Sequence, residues 1–403
     1  MKKNNLIFVF ILSILIFFTY SCDNKNEEIE YSVEVIDIDG EKIFEDNIIN
    51  KGGSLLDDLK EVTIVDGFET EYGFYLESIA NSIVDNNYFI AIYENDKLAS
   101  TGIDGIIIDD GDSFKFQVEC FNTLESGYGT FDDLDILVDK IIYSYAKNEL
   151  KEYLNNMDDY TQNNFSTADF WSFIGLNLMV LNSYDDKIFN YKNVSSNLKN
   201  DLESYDLSKL EGAQFAKYYF ASKGLGIDLN NFKEFYQKYI NELEDVYLDY
   251  SEYEYSFTLG ISKYLDVTST KLENIISSSY RASTEYGIDG LAWQIASLAQ
   301  FNDLNKNELA PFIAKDYGNA VSQALAILPY VALGENPRKA EYKNDSNKDI
   351  IEILIENYYD SNLGIIKYNS TKNSKDNFTP QIYASLMAYK VLRDYGDKVY
   401  IFS

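Results

Sequence analysis

The sequence predicts an α+β chain in two parts: a small antiparallel β-rich domain, then an all-α domain of six helical hairpins closed into a ring. Three observations carry this. From Tyr31 to Cys120, short runs alternate between apolar and polar residues and are broken by Asp, Asn and Gly, the pattern of half-buried strands joined by turns. After Leu134 the period becomes helical and stays so to the end. Within that half, six segments mix small and apolar residues on nearly every face, with charged amphipathic stretches between them. Five of them, marked by Trp171, Phe215, Phe257, Trp293 and Leu325, lie 44, 42, 36 and 32 residues apart, and the sixth begins at Pro380. A period of roughly 30–45 residues with paired helices is that of a helical array. Helices apolar all round are inner helices; the charged ones cover them.

Taken in order, residues 1–21 read as an address. Lys2 and Lys3 precede an apolar run from Leu6 to Phe18 that is too short to span a bilayer as a mature helix. Thr19-Tyr20-Ser21-Cys22 follows, then the charged tether of residues 22–30. This resembles a bacterial lipoprotein signal, although that pattern has Leu where Thr19 stands and a small residue where Tyr20 stands. The resemblance implies acylation of Cys22, removal of residues 1–21, and anchoring through lipid on the outer face of the bacterial cytoplasmic membrane. Loss of that segment, with two Lys and no acid, takes the net charge from −32 to −34. An uncleaved anchor would leave the body extracytoplasmic as well, because the Lys pair stays inside.

In the β-rich part, Tyr31 to Asp37 alternates as a strand, Asp39-Gly40 turns, and Lys42-Ile43-Phe44 opens the return arm. Ser54 reads as the N-cap of a short helix at Leu55-Leu56-Asp57-Asp58-Leu59. Tyr88 to Tyr93 and Ser113 to Cys120 are the other strands. Asp109-Asp110-Gly111-Asp112 and Asp37-Ile38-Asp39-Gly40 lack the twelve-residue alternation of a calcium loop, so hairpin turn chemistry is expected there and no metal. Cys120, left without a partner if Cys22 is acylated, is expected to be a buried structural thiol.

The order of pieces is similar to the transcobalamin-like β-domain of bacterial surface proteins. Those pieces are Gly53-Ser54-Leu55-Leu56, Phe74 to Ile79, Tyr88 to Asn95, Ala99-Ser100-Thr101-Gly102 and Asp110-Gly111-Asp112. Members carry Trp where Phe89 stands and an Asn-Gly turn where Asn95-Asp96 stands. The domain is assigned residues 31–120 and a linker residues 121–135, with Gly127 and Gly129 as its joint.

Residues 136–403 form the helical part. Its pieces Ser166-Thr167-Ala168-Asp169-Phe170-Trp171, Gly287-Ile288-Asp289-Gly290-Leu291-Ala292-Trp293 and Asn377-Phe378-Thr379-Pro380-Gln381 resemble the α/α-toroid superfamily of terpenoid cyclases, protein prenyltransferases and cobalamin carriers. The carriers join such a toroid to the same β-domain, in the reverse order. What the resemblance implies is capture of a small-molecule nutrient, a corrinoid among the candidates, between toroid mouth and β-domain, for delivery to a membrane importer. The candidate contacts are Trp171, Trp293, Gln323, Thr379 and Gln381 from the toroid and Tyr88 and Tyr93 from the β-domain, each of which could equally be ordinary core.

Composition narrows the alternatives. The chain has no histidine, which excludes Ser-His-Asp and Cys-His catalysis and His-based zinc sites. Its 34 basic against 66 acidic residues make nucleic acid an improbable partner, since phosphate binding needs basic patches. A cyclase needs Asp-x-Asp-Asp; Asp132-Asp133-Leu134-Asp135 has another order. No catalytic residue, cofactor or metal is therefore expected. The second reading is a cell-surface interaction or adhesion protein that binds a polymer or another protein through acidic, Tyr-rich faces; a cyclase-like enzyme is the third.

Overall fold

The computed structural model describes residues 29–71, 73–84, 87–121, 125–126, 129–130, 132–152, 167–181, 196–242, 252–267, 270, 274, 287–301, 304–368 and 379–401. The signal segment, Cys22 and the start of the tether lie outside them, as do Gly127 and Ser166. The chain divides into two compact units after Glu119.

In the first unit, alternation builds the sheet. Strands β1 (Ile29–Ile36), β2 (Lys42–Asn50), β5 (Tyr88–Glu94), β6 (Lys97–Leu98) and β7 (Ser113–Cys120) form one sheet of order β2-β1-β7-β5-β6. β1 runs antiparallel to β2 and parallel to β7, so the sheet is mixed where an antiparallel one was expected. Tyr31, Val33 and Val35 of β1 and Phe114 and Phe116 of β7 all point to one face and are buried there with Leu55, Leu56 and Leu59 of helix α1 (Leu55–Val62). Ser54 caps α1: its side chain accepts from the Asp57 amide while the Asp57 carboxylate accepts from the Ser54 amide. β5 and β6 meet at Asn95-Asp96, whose φ angles of 50° and 63° form the primed hairpin turn that suits the strand twist. A separate two-stranded ribbon, β3 (Val65–Thr70) and β4 (Gly73–Ile79), lies between α1 and β5 in sequence. Cys120 is half-buried rather than buried, at the end of β7; its Sγ lies 3.6 Å from the Phe121 carbonyl oxygen.

The second unit begins with a short ribbon, β8 (Glu125–Ser126) and β9 (Gly129–Thr130), inside the stretch expected to be linker. Helix α2 (Asp133–Tyr145) also starts within it, because Asp132 and Asp135 supply a complete capping box. The other helices are α3 (Thr167–Leu181), α4 (Ser196–Ser204), α5 (Gln214–Gly224), α6 (Phe232–Glu242), α7 (Glu252–Tyr264), α8 (Ile288–Leu298), α9 (Ala320–Leu325), α10 (Leu328–Leu333), α11 (Ile350–Tyr358) and α12 (Thr379–Tyr395). All six inner segments of the sequence pattern are helical. They pack in sequence: α3 on α5, α5 on α7, α7 on α8, α8 on the α9–α10 pair, that pair on α12, and α12 back on α3. Of the amphipathic helices, α2 packs on α12, α4 on α5 and α11 on α9. Helix α6 presents Phe232 and Tyr236 to Phe215 of α5, and the Tyr236 hydroxyl donates to the Thr258 carbonyl of α7. The protein is thus α+β, with a small β-rich unit followed by a helical one.

Candidate functional site

The inner helices carry the residues that the sequence singles out. Trp171 on α3 has no solvent exposure and Trp293 on α8 has 5%. Both lie 5.9 Å from Phe257 of α7, so three helices share one aromatic stack. Edge-on and tilted rings at that spacing are what a packed interior selects. Gln323 is wholly buried and its amide is used within the chain: Oε1 accepts from the Tyr317 amide and Nε2 donates to the Ile350 carbonyl, both at 3.2 Å. Gln381 is buried on α12, and Thr379 opens that helix, its side chain lying outside the description. In the other unit Tyr88 is buried at the start of β5. Tyr93 is half-buried; its hydroxyl donates to Glu119 at 2.5 Å, and the Lys115 ammonium sits 4.6 Å from its ring centre. The hydrogen bond to Glu119, and after it desolvation, raises the phenol's pKa. The helical unit therefore keeps Trp171 and Trp293 in one cluster, and both are packed side chains.

Beside Trp171 a crevice opens between α2, α3 and α12, lined by Ser172, Met179, Pro380 and a stacked pair, Tyr145 and Tyr383, whose rings lie 3.7 Å apart. Its free volume is about 10 Å³, the space of a single water at most. The Ser172 hydroxyl is buried there without a protein partner. Two buried amides on α8 and just beyond it, Gln294 and Gln300, also have neither end bonded. Burial pushes the Asp289 carboxyl, in the first turn of α8, above the usual range, and a Ser322 hydrogen bond opposes this.

The acid run Asp132-Asp133-Leu134-Asp135 has a role that the sequence did not reveal. Asp132 caps α2 and receives a two-pronged hydrogen bond from Arg338 at 2.9 and 2.7 Å. Arg338 also meets Asp135 at 2.9 Å and Asp349, the N-cap of α11, at 3.0 Å. Arg338's hydrogen bond holds the Asp132 carboxyl down at about 2, against the opposing effect of burial. One helical turn further in, Arg393 of α12 grips Asp139 of α2 at 2.8 and 2.9 Å, and Lys390 lies 3.3 Å from the same carboxylate. Asp394 completes the group at 2.9 Å from Lys390 and 2.8 Å from Arg393, and Tyr389 donates to Asp135 at 2.7 Å. Two of the chain's three arginines are spent here. These groups join α2 to α12 across about 250 residues of sequence, where the last inner helix returns to the first. Asp132, Asp135, Asp139, Asp349 and Asp394 are each paired with a cation.

The acidic turns of the β unit are similarly occupied. Asp112 accepts from the Asp109 amide at 2.7 Å and from Asn95 at 2.8 Å, Asp110 accepts from the Glu30 amide at 3.0 Å, and Asp37 accepts from the Ile83 amide at 2.8 Å. Among the described residues no three His, Cys, Asp or Glu side chains are grouped to hold a metal, and no helix is long and apolar enough to cross a membrane.

No family model matches the chain, and no curated protein matches it. Among solved structures it is similar to a candidate metal-binding protein from Ruminococcus gnavus, known from a crystal structure at 1.30 Å. That likeness has 22% identity and a TM-score of 0.22, and it covers 23% of this chain and 99% of the other. It is too slight to carry a role across.

Proposed function

We propose that the chain is a lipid-anchored, extracytoplasmic binding protein that recognises a partner at its outer surface, with the helical unit serving as scaffold rather than receptor. In this reading Cys22 is acylated, the first unit is a transcobalamin-like β-domain, and the helical unit is an (α/α)6 toroid on the outer face of the bacterial cytoplasmic membrane. The cyclic order of inner-helix packing supports the toroid. The observation that carries surface recognition is made of the described residues: Trp171, Trp293 and Gln323 are buried among neighbours, and the crevice at Trp171 holds about 10 Å³. Ligand pockets for drug-sized molecules are typically about 300–1,000 Å³. The reading assigns no catalytic residue.

One observation favours the second reading, capture of a small polar nutrient such as a corrinoid within the ring for transfer to an importer. Gln294 and Gln300 are buried with bare amides, and an unmet buried amide costs roughly 1–3 kcal/mol. A titration separates the two. Purified protein is mixed with cobalamin and related corrinoids while tryptophan fluorescence and the thermal midpoint are followed. A ligand of the native state must raise stability. Surface recognition predicts that a saturating panel moves neither signal; a saturable shift in both establishes capture.

A further inference from the structure

The outward face of the β3–β4 ribbon leaves an aromatic pair in water. Phe68 and Tyr75 stand directly opposite each other across the two strands, their rings 5.4 Å apart, yet they are 51% and 46% exposed. Ile64, two residues before Asp66 on the same side, is 54% exposed. Asp66 and Glu77 are exposed at the bulge next to the aromatic pair, while Leu76 is buried and Phe74 packs on the core. Glu69 and Glu71 lie at the ribbon's tip. None of these four exposed carboxylates is hydrogen-bonded or ion-paired among the described residues, in contrast to Glu34, Glu45 and Glu61 nearby, which have lysine partners. The pair's position is built in by Gly67, where the register shifts. A Cβ at Gly67 would fall 2.1 Å from the Tyr75 carbonyl oxygen, so only glycine lets the strands close at that point.

Large apolar rings left in water beside unpaired carboxylates define a complementary chemistry. We propose that this ribbon face docks a cationic, arginine-bearing peptide segment of a partner protein, its guanidinium groups lying on Phe68 and Tyr75 and pairing with Asp66 and Glu77. A guanidinium stacks on an aromatic face and matches a carboxylate with two parallel donors, which a neutral sugar or an acidic polymer does not. The ribbon uses the same chemistry on its other side, where the Lys60 ammonium rests 4.6 Å from the Phe74 ring centre. The chain's charge of −32 adds long-range attraction for a basic partner, but that term falls with salt and does not choose a face. This inference rests on the surface-recognition reading and supplies its site and partner class.

The test uses the full chain and a fluorescein-labelled probe peptide of alternating Arg and Gly, with binding read by fluorescence anisotropy at 150 mM salt. A lysine-for-arginine version and a panel of neutral polysaccharides are run alongside. The variants are Phe68→Ala/Tyr75→Ala, which leaves the charge unchanged, Asp66→Asn/Glu77→Gln, and Glu234→Gln/Glu242→Gln on α6 of the helical unit. Circular dichroism confirms that each is folded. The proposal expects about tenfold weaker binding for each ribbon pair, none for the α6 pair, and tighter binding of Arg than of Lys probe. Equal affinity for wild type and the aromatic variant would mean net charge alone, and overturns the site. Ring-dependent binding of a polysaccharide instead of the peptide overturns the partner class and leaves surface recognition standing. A corrinoid that binds in the titration above removes the parent reading, whatever the peptide does.

Discussion

Replacing Asp139 with Asn tests how the helical unit is held closed. Asp139 and Lys390 have no exposed side-chain surface, and Arg393 and Asp394 have 3% and 5%. The four form a neutral set: two carboxylates between an ammonium and a guanidinium. Asn keeps the shape and removes one charge, so two buried cations are left with Asp394, and with Asp135 3.7 Å from Arg393. Breaking a buried pair from one side costs about 3–5 kcal/mol, because the surviving charge stays out of water. For a body of this size that corresponds to a midpoint lower by about 10 °C. Both tryptophans of the chain, Trp171 and Trp293, lie in this unit, so tryptophan fluorescence reports its melting without interference from the β unit. The double variant Asp139→Asn/Lys390→Met restores neutrality and is expected to recover part of the loss, with a coupling of about 1–3 kcal/mol. As a control, Glu242→Gln removes an exposed pair with Lys238 and should cost under about 0.5 kcal/mol. If Asp139→Asn behaves like that control, the buried set is not what closes the unit.

Two further outcomes are expected. Arg338 holds Asp132 at about 2, below the ordinary carboxylate value of 3.8, so its contribution is full above about pH 4 and is lost as pH falls toward 2. Arg338→Gln should therefore flatten the fall in stability over that window; parallel curves for wild type and variant would contradict this. In the β unit, the Tyr31 hydroxyl and the Asn50 amide both donate to Asp58 at 2.9 Å. Tyr31→Phe leaves that buried carboxylate one donor short, and amide exchange along β1 should show a loss of about 1–3 kcal/mol, against no change if Asn50 alone suffices.

What the sequence displays depends on how local the physics is. Strand β1, the Ser54 cap and the turn at Asn95-Asp96 are each set by neighbours within a few residues, and each was legible. The six inner helices were legible because small and apolar residues on every face have no use outside a buried helix. The pairing of Asp139 with Arg393 was not, since charged residues near a helix end ordinarily face water and their partners here stand about 250 residues away. The scarcity of arginine was the one available hint. For the same reason Trp171, Trp293 and Gln323 were visible as special without showing whether they face a cavity or a neighbour; that choice belongs to tertiary packing. Phe68 was not legible as a strand residue because Gly67 interrupts the alternation there; Tyr75 lies in the recognised piece Phe74 to Ile79, but its exposure belongs to tertiary packing.

The most direct measurement of whether the helical unit is a filled scaffold is quenching of its two tryptophans by acrylamide. Indoles sealed at 0% and 5% exposure predict blue-shifted emission and a quenching constant many times smaller than that of the unfolded chain. Quenching near the unfolded value, suppressed on adding a corrinoid, would show an open ring with both indoles at its wall and would contradict the surface-recognition reading.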